Sequence, residues 1–162
     1  MTTKGSSLLA GRNQSPLTSE DKRRAINTFL GLDPTVNVRY EETGKTVFQV
    51  VYNEAGGEEY GEIICGPDIY PGRSVIDPNS ALGLQAAAVH ELTHYYRWKD
   101  KIELPDRSLE HLDEALTSLQ AILRYHTHLN EQDVRQLVSD AAQRLQLYIQ
   151  SLEDEDKDTF SE

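Results

Sequence analysis

Cysteine is almost missing from this chain. Cys65 is the single one among 162 residues, so no internal disulfide can form and a four-cysteine zinc site is excluded. Basic residues are also scarce, 16 against 27 acidic, and the formal net charge of -11 repels phosphate backbones, which argues against nucleic acid as a partner. Part of the acidic excess sits in residues 154–162, a tail expected to be solvated. No apolar run approaches the roughly 20 residues of a membrane span, and residues 1–20 lack the apolar core of a signal peptide. The expectation is a cytoplasmic protein with no membrane partner. Proline is thin too, yet three of the six crowd into "PDIYPGRSVIDPNS", residues 67–80, which reads as a loop.

The length suits one domain with its own core. Residues 1–16 are rich in Ser, Gly, Asn and Thr and read as a flexible leader, leaving a domain over residues 17–153. "LTSEDKRRAINTFLGL" is expected to be a helix capped by Thr18 or Ser19 and stopped by Gly31, with Ile26, Phe29 and Leu30 on its buried face. The period then changes. "VNVRYEETGKTVFQVVYN" alternates about a Thr43-Gly44 turn, and "YGEIICG" follows a second turn, "EAGGEE". Together they predict a three-stranded antiparallel meander over residues 36–65. Three helical stretches follow, over about 81–98, 109–125 and 130–152, the last with Leu137, Ala141, Leu145, Tyr148 and Leu152 along one stripe. The fold class expected is therefore α+β, a small sheet followed by a helical half.

The second half carries "AAAVHELTHYYRW", residues 86–98. On a helix, His90 and His94 sit one turn apart and can aim both imidazoles at one point. Glu91 is about 100° of rotation from His90, placed to reach a metal-bound water without ligating the ion. A catalytic zinc wants three protein ligands and an open position, so a third ligand must come from another element. The next helix offers Glu110, His111, Asp113 and Glu114, and the segment 95–113 lies between His94 and Glu114.

These residues resemble the gluzincin metallopeptidases, the thermolysin-like branch of the zincins. In that family "HELTH" on one helix is completed by a Glu on the next helix, at a similar separation and in an "NEA"-like context. Here "HELTH" matches literally and "DEA", Asp113 to Ala115, matches the second piece. The likeness covers about residues 80–120. It implies His90, His94 and Glu114 as ligands of one Zn2+, Glu91 as general base, and a peptide or protein substrate laid along the edge strand, a role expected of "YGEIICG". The metzincin continuation is absent, since Arg97 and Asp100 stand where its glycine and third histidine would be. The gluzincin pattern is also departed from at Ser118, where the family often has an Asp that holds the first histidine's other ring nitrogen. Asp113, Glu110 or a backbone carbonyl remain open for that task. The family's C-terminal domain, source of an oxyanion-stabilising group, has no counterpart, which leaves Tyr95, Tyr96, Tyr125, His126 and His128 as local substitutes.

The resulting expectation is a zinc-dependent endopeptidase that cleaves a specific intracellular protein, latent until the Pro-rich 67–79 loop moves or a regulatory protein partner binds. A non-peptidase zinc hydrolase using the same residues stays open. So does a silent zincin-like interaction module in which both histidines are packed core residues. Cys65 reads as a buried thiol, with occupation of the open zinc position as its alternative role.

Overall fold

A computed structural model describes residues 2–3, 8–9, 11–72 and 81–160. Its elements are β1 (Thr2–Thr3), α1 (Ser19–Leu32), β2 (Val38–Tyr40), β3 (Val47–Asn53), β4 (Glu58–Cys65), α2 (Leu84–Lys99), α3 (Glu110–Tyr125) and α4 (Glu131–Phe160), with short 3-10 turns between several of them. This is the α+β layout: a small sheet first, then a helical half.

The sheet departs from the expected meander. β3 and β4 form an antiparallel hairpin from Val47↔Ile64 to Asn53↔Glu58, closed by a turn in which Gly57 takes a positive φ of 70°, a conformation that favours glycine. β2 does not pair with β3 across Thr43-Gly44. It lies parallel to β4, Val38↔Ile63 through Tyr40↔Cys65, so the sheet is mixed and ordered β1-β3-β4-β2. Alternation fixes which face a side chain takes, and leaves the neighbouring strand unspecified. The connection over residues 41–46 crosses the end of β4 instead of reversing on itself. Its path is held where Glu41 N–H donates to Cys65 O at 2.9 Å and where Thr46 N–H and Oγ1 both donate to the buried Asp68 carboxylate, at 2.8 and 2.6 Å. The two backbones meet so closely that a Cβ on Gly66 would stand 2.2 Å from Gly44 O. β4 is therefore interior over Ile63–Cys65, where β2 covers the edge expected to take a peptide. The outer positions belong to β2 and to β1, which pairs antiparallel with β3.

α1 is capped by Thr18, whose Oγ1 accepts from Asp21 N–H at 3.1 Å. It runs through Gly31 to Leu32 and ends at Asp33, followed by Pro34, which cannot continue a helix. Ala25 and Phe29 are fully buried, whereas Leu30, expected on that face, is exposed. Asp33 also fastens α1 to α2. Its carboxylate accepts from Thr35 N–H at 2.9 Å, from Thr35 Oγ1 at 2.7 Å and from the Tyr96 hydroxyl. Burial alone would raise the Asp33 pKa, but the bonds from Tyr96 and Thr35 outweigh it and hold it below its ordinary value. A carboxylate depressed in the fold stabilises above its unfolded pKa and loses that contribution as pH falls through the folded one. Tyr96→Phe is expected to cost about 1–3 kcal/mol at neutral pH. The gap to wild type should close below about pH 4, as read by urea unfolding at both pH values.

Between sheet and helices lies one core, including Phe29, Phe48, Ile63, Ile69, Leu92 and Leu137. α2 comes close to the sheet because Gly61 has no side chain: a Cβ there would lie 2.7 Å from the Tyr95 ring and 2.8 Å from Phe48. α4 packs on α3 and α2 through a face of mixed polarity, with Gln136, Leu137, Asp140, Ala141 and Arg144 buried. The expected stripe holds at its start, but Leu145 and Leu152 are exposed. The helix itself continues past Leu152 to Phe160, and residues 153–157 are exposed.

At the other end of the chain, Arg12 is anchored. Its guanidinium donates to Asp68 O at 2.8 Å, Ile69 O at 2.7 Å and Leu82 O at 2.5 Å. Within the Pro-rich loop, residues 67–69 form a buried 3-10 turn, and Gly11 and Asn13 share backbone bonds with Gly72 and Tyr70. The rest of the 67–79 loop, from residue 73, lies outside the described residues.

Candidate metal centre

The helix that carries the motif is built for burial. Residues 86–94 of α2 are all buried, the alanines allowing sheet and helices to close on both sides. His90 is fully buried, Glu91 fully buried and His94 only 1% exposed. Burying this much polarity is costly without partners, and the partners come from α3 and α4.

Both imidazoles converge on one carboxylate oxygen. His90 Nε2 lies 3.0 Å and His94 Nε2 2.8 Å from Glu114 Oε2, and one ligand atom from each of the three residues falls within 4.8 Å of the others. Among the described residues this is the one such cluster of three or more potential ligands. Zinc bonds of about 2.0–2.1 Å in a tetrahedron separate neighbouring donors by roughly 3.3 Å. The two histidine–Glu114 separations would have to open by only a few tenths of an ångström around an ion, and two imidazoles with a carboxylate are a donor set that zinc takes. The residues fit the metal.

Charge in the cluster divides unevenly. Burial would raise the Glu114 pKa, but His94 and the hydrogen bonds from both histidines outweigh that and hold it well below the ordinary value. Burial lowers His90. His94 goes the other way, because attraction to Glu114 overcomes its burial. In the metal-free cluster the attraction is thus strongest between His94 and Glu114, and His90 is shifted towards its neutral form. Glu91 stands next to this pair. Burial, reinforced by Glu114 and Asp68, pushes its pKa up to about 8 against the opposing pull of His94 and Arg144.

Behind His90 the structure shows a chain of polar side chains that crosses to α4. His90 Nδ1 lies 2.8 Å from Ser118 Oγ, Ser118 Oγ donates to Asp140 Oδ2 at 2.5 Å, and Arg144 Nε donates to the same oxygen at 2.7 Å. Arg144 also approaches Glu114 Oε2 at 3.6 Å. All of these side chains are at most 11% exposed.

The other residues singled out in the sequence sit elsewhere. Glu110 is exposed. Asp113 pairs with Arg97 and accepts from Leu104 N–H at 3.0 Å, which locks the α2–α3 connection and leaves it neither ligand nor support for a histidine. Tyr95 packs edge-on to Phe48 against the sheet, with ring centroids 6.1 Å apart. Tyr125 is buried at the last position of α3, several helical turns beyond Glu114. Tyr96 is held by Asp33, and His126 and His128 are exposed. Cys65 is buried, its thiol pushed up to about 12 by desolvation, and it is not in the ligand cluster.

Sequence reasoning missed Asp140 and Arg144. The signal was present: two charged residues four apart in the middle of an apolar stripe, next to Leu137 and Ala141. Comparison with family models, curated proteins and solved structures finds no match for this chain, so the site is read from its own geometry.

Proposed function

We propose that this chain is a zinc-dependent endopeptidase, with His90, His94 and Glu114 as metal ligands and Glu91 as general base. The observation that carries the reading is the meeting of two Nε2 atoms at one Glu114 oxygen, one helical step from a buried carboxylate. Zinc bound there would lower the pKa of its water towards about 7 and polarise the carbonyl to be cleaved. Glu91 takes the water's proton and passes it to the leaving amine. Its environment suits a shuttle: burial disfavours the anion while neighbouring cations favour it, and a proton carrier works best near the operating pH.

The burial of Glu91 adds one element to this reading. Because Glu91 is fully buried, a peptide reaches it only after the packing around it opens, in keeping with a latent enzyme that cleaves one specific protein in the cytoplasm. Among the described residues no helix is long and apolar enough to cross a membrane.

The test is metal analysis of protein purified without chelator, joined to a peptide-library screen. One zinc per chain is expected, with cleavage lost on chelation and recovered on adding zinc. Zinc without cleavage of any peptide would shift the reading to hydrolysis of another bond. Absence of bound metal would favour an interaction module.

A further inference from the structure

We infer that Asp140, on α4, is a positioning residue that fixes the tautomer of His90 through Ser118, an inference that rests on the proposed metal site. The argument is one of donors and acceptors. An ionised carboxylate only accepts hydrogen bonds, and a guanidinium only donates. Asp140 Oδ2 accepts from Arg144 Nε at 2.7 Å and from Ser118 at 2.5 Å, so the serine's single hydroxyl proton is directed to Asp140. What remains at Ser118 Oγ facing His90 is a lone pair. The 2.8 Å contact to His90 Nδ1 then draws the imidazole proton to Nδ1, which frees the lone pair of Nε2 for a metal. Without a metal, Nε2 faces the Glu114 carboxylate at 3.0 Å, and the two sides of the ring compete for one proton. On the α4 side of the ring, turning either the serine proton or the Nδ1 proton around would set two donors or two acceptors against each other inside a buried network, where mismatches are costly.

The arrangement gives α4 a part in a site whose ligands all come from α2 and α3. Histidine ligands ordinarily donate their second ring N–H to a carboxylate or carbonyl, and losing that partner weakens metal binding by about 10–100-fold. Here the carboxylate stands one hydroxyl further away and arrives from another helix. Arg144 joins the two halves, since it donates to Asp140 and lies 3.6 Å from Glu114. The two histidines also differ in support: His94 Nδ1 is buried with no hydrogen-bond partner among the described residues, so the ordering comes to His90 alone.

Two readouts on purified protein test this. One is the pair of 15N shifts of the His90 ring without metal, and the other is zinc affinity by competition with a chromogenic chelator. In wild type a large share of the ring proton is expected on Nδ1, against the pull of Glu114 on Nε2. Asp140→Ala should move the proton towards Nε2, where Glu114 accepts it, and weaken zinc by about 10–100-fold. Adding Ser118→Asp to that variant places a carboxylate directly on Nδ1 and should bring both readouts back to within about threefold of wild type, a recovery that a purely structural role for Asp140 would not give. Should Asp140→Ala fail to fold, Asp140→Asn, which keeps the shape and removes the charge, carries the decision with a several-fold loss of affinity expected. Unchanged 15N shifts and zinc affinity in a folded Asp140 variant would overturn the inference, as would a folded double variant with no recovery. A wild-type protein that shows the Nδ1 tautomer yet binds no zinc would sink the metal site and leave the relay standing.

Discussion

Glu91→Gln is expected to reduce peptide hydrolysis by about 10²–10⁴-fold, the usual share of a general base, while the zinc content stays at one per chain. The amide fills the same buried space on α2 but cannot take a proton from water, and none of the three ligand atoms is disturbed. A parallel loss of zinc would mean that Glu91 supports the ligands and does not act on the water. The same variant reports on electrostatics when the metal is removed. The folded pKa of Glu91, about 8, lies above its ordinary 4.5. Between these values the folded chain keeps a proton that the unfolded chain has released, so this residue makes stability fall as pH rises through that window. Glutamine has no such slope. In chelator, the variant should match wild type near pH 4.5 and exceed it by several degrees in Tm at about pH 8, each kcal/mol being worth about 2–4 °C at this size. Equal Tm differences at both pH values would contradict the assigned environment.

Glu114→Ala has the larger effect on the metal. It removes the oxygen to which both imidazoles point, leaving two nitrogen donors where a catalytic zinc needs three protein ligands. Zinc affinity should fall by about 10³-fold or more, beyond the 10–100-fold typical of a supporting residue, and hydrolysis should fall with it. The change also removes a carboxylate that Arg144 faces and leaves it beside Asp140. Glu110→Ala is the control. That residue is one turn away on the same helix but exposed, and its loss should leave zinc binding and activity as they were. If dialysis against a graded zinc buffer gave the two variants the same affinity, the ligand assignment would fail.

Much of this site could be read in the chain because its parts are local. Spacing of four on one helix brings His90 and His94 together whatever else the fold does, and the third member of the cluster needed only a neighbouring helix. Choosing among Glu110, Asp113 and Glu114 was different, since all three share a helix and the answer depends on which face turns inward. Asp113 is taken by Arg97, a contact no periodicity reveals. The support for His90 was harder still. Ser118 was noticed only as a departure from a pattern, and its meaning lies in Asp140, 22 positions further on. Strand pairing is not legible in the sequence for a related reason. Hydrophobic alternation in β2, β3 and β4 marked all three strands correctly, but partner choice depends on backbone contacts such as Gly44 against Gly66 and on the bonds from Thr46 to Asp68. Arg12 was hidden by its surroundings, a single anchored side chain in a stretch whose composition reads as loose.

The parallel placement of β2 bears on how the chain reaches this state. β3 and β4 are joined by a short turn and can zip together within microseconds, as hairpins do. β2 has the longer way to go, because its partner residues lie far along the chain, Val38 against Ile63. Its arrival must close a loop around strands already assembled, and long-range closures of this kind slow the search. α1 is tied to β2 and, through Asp33, to α2. The last strand to arrive would therefore bring the first helix with it, and the nascent hairpin would wait with one side uncovered until both had docked.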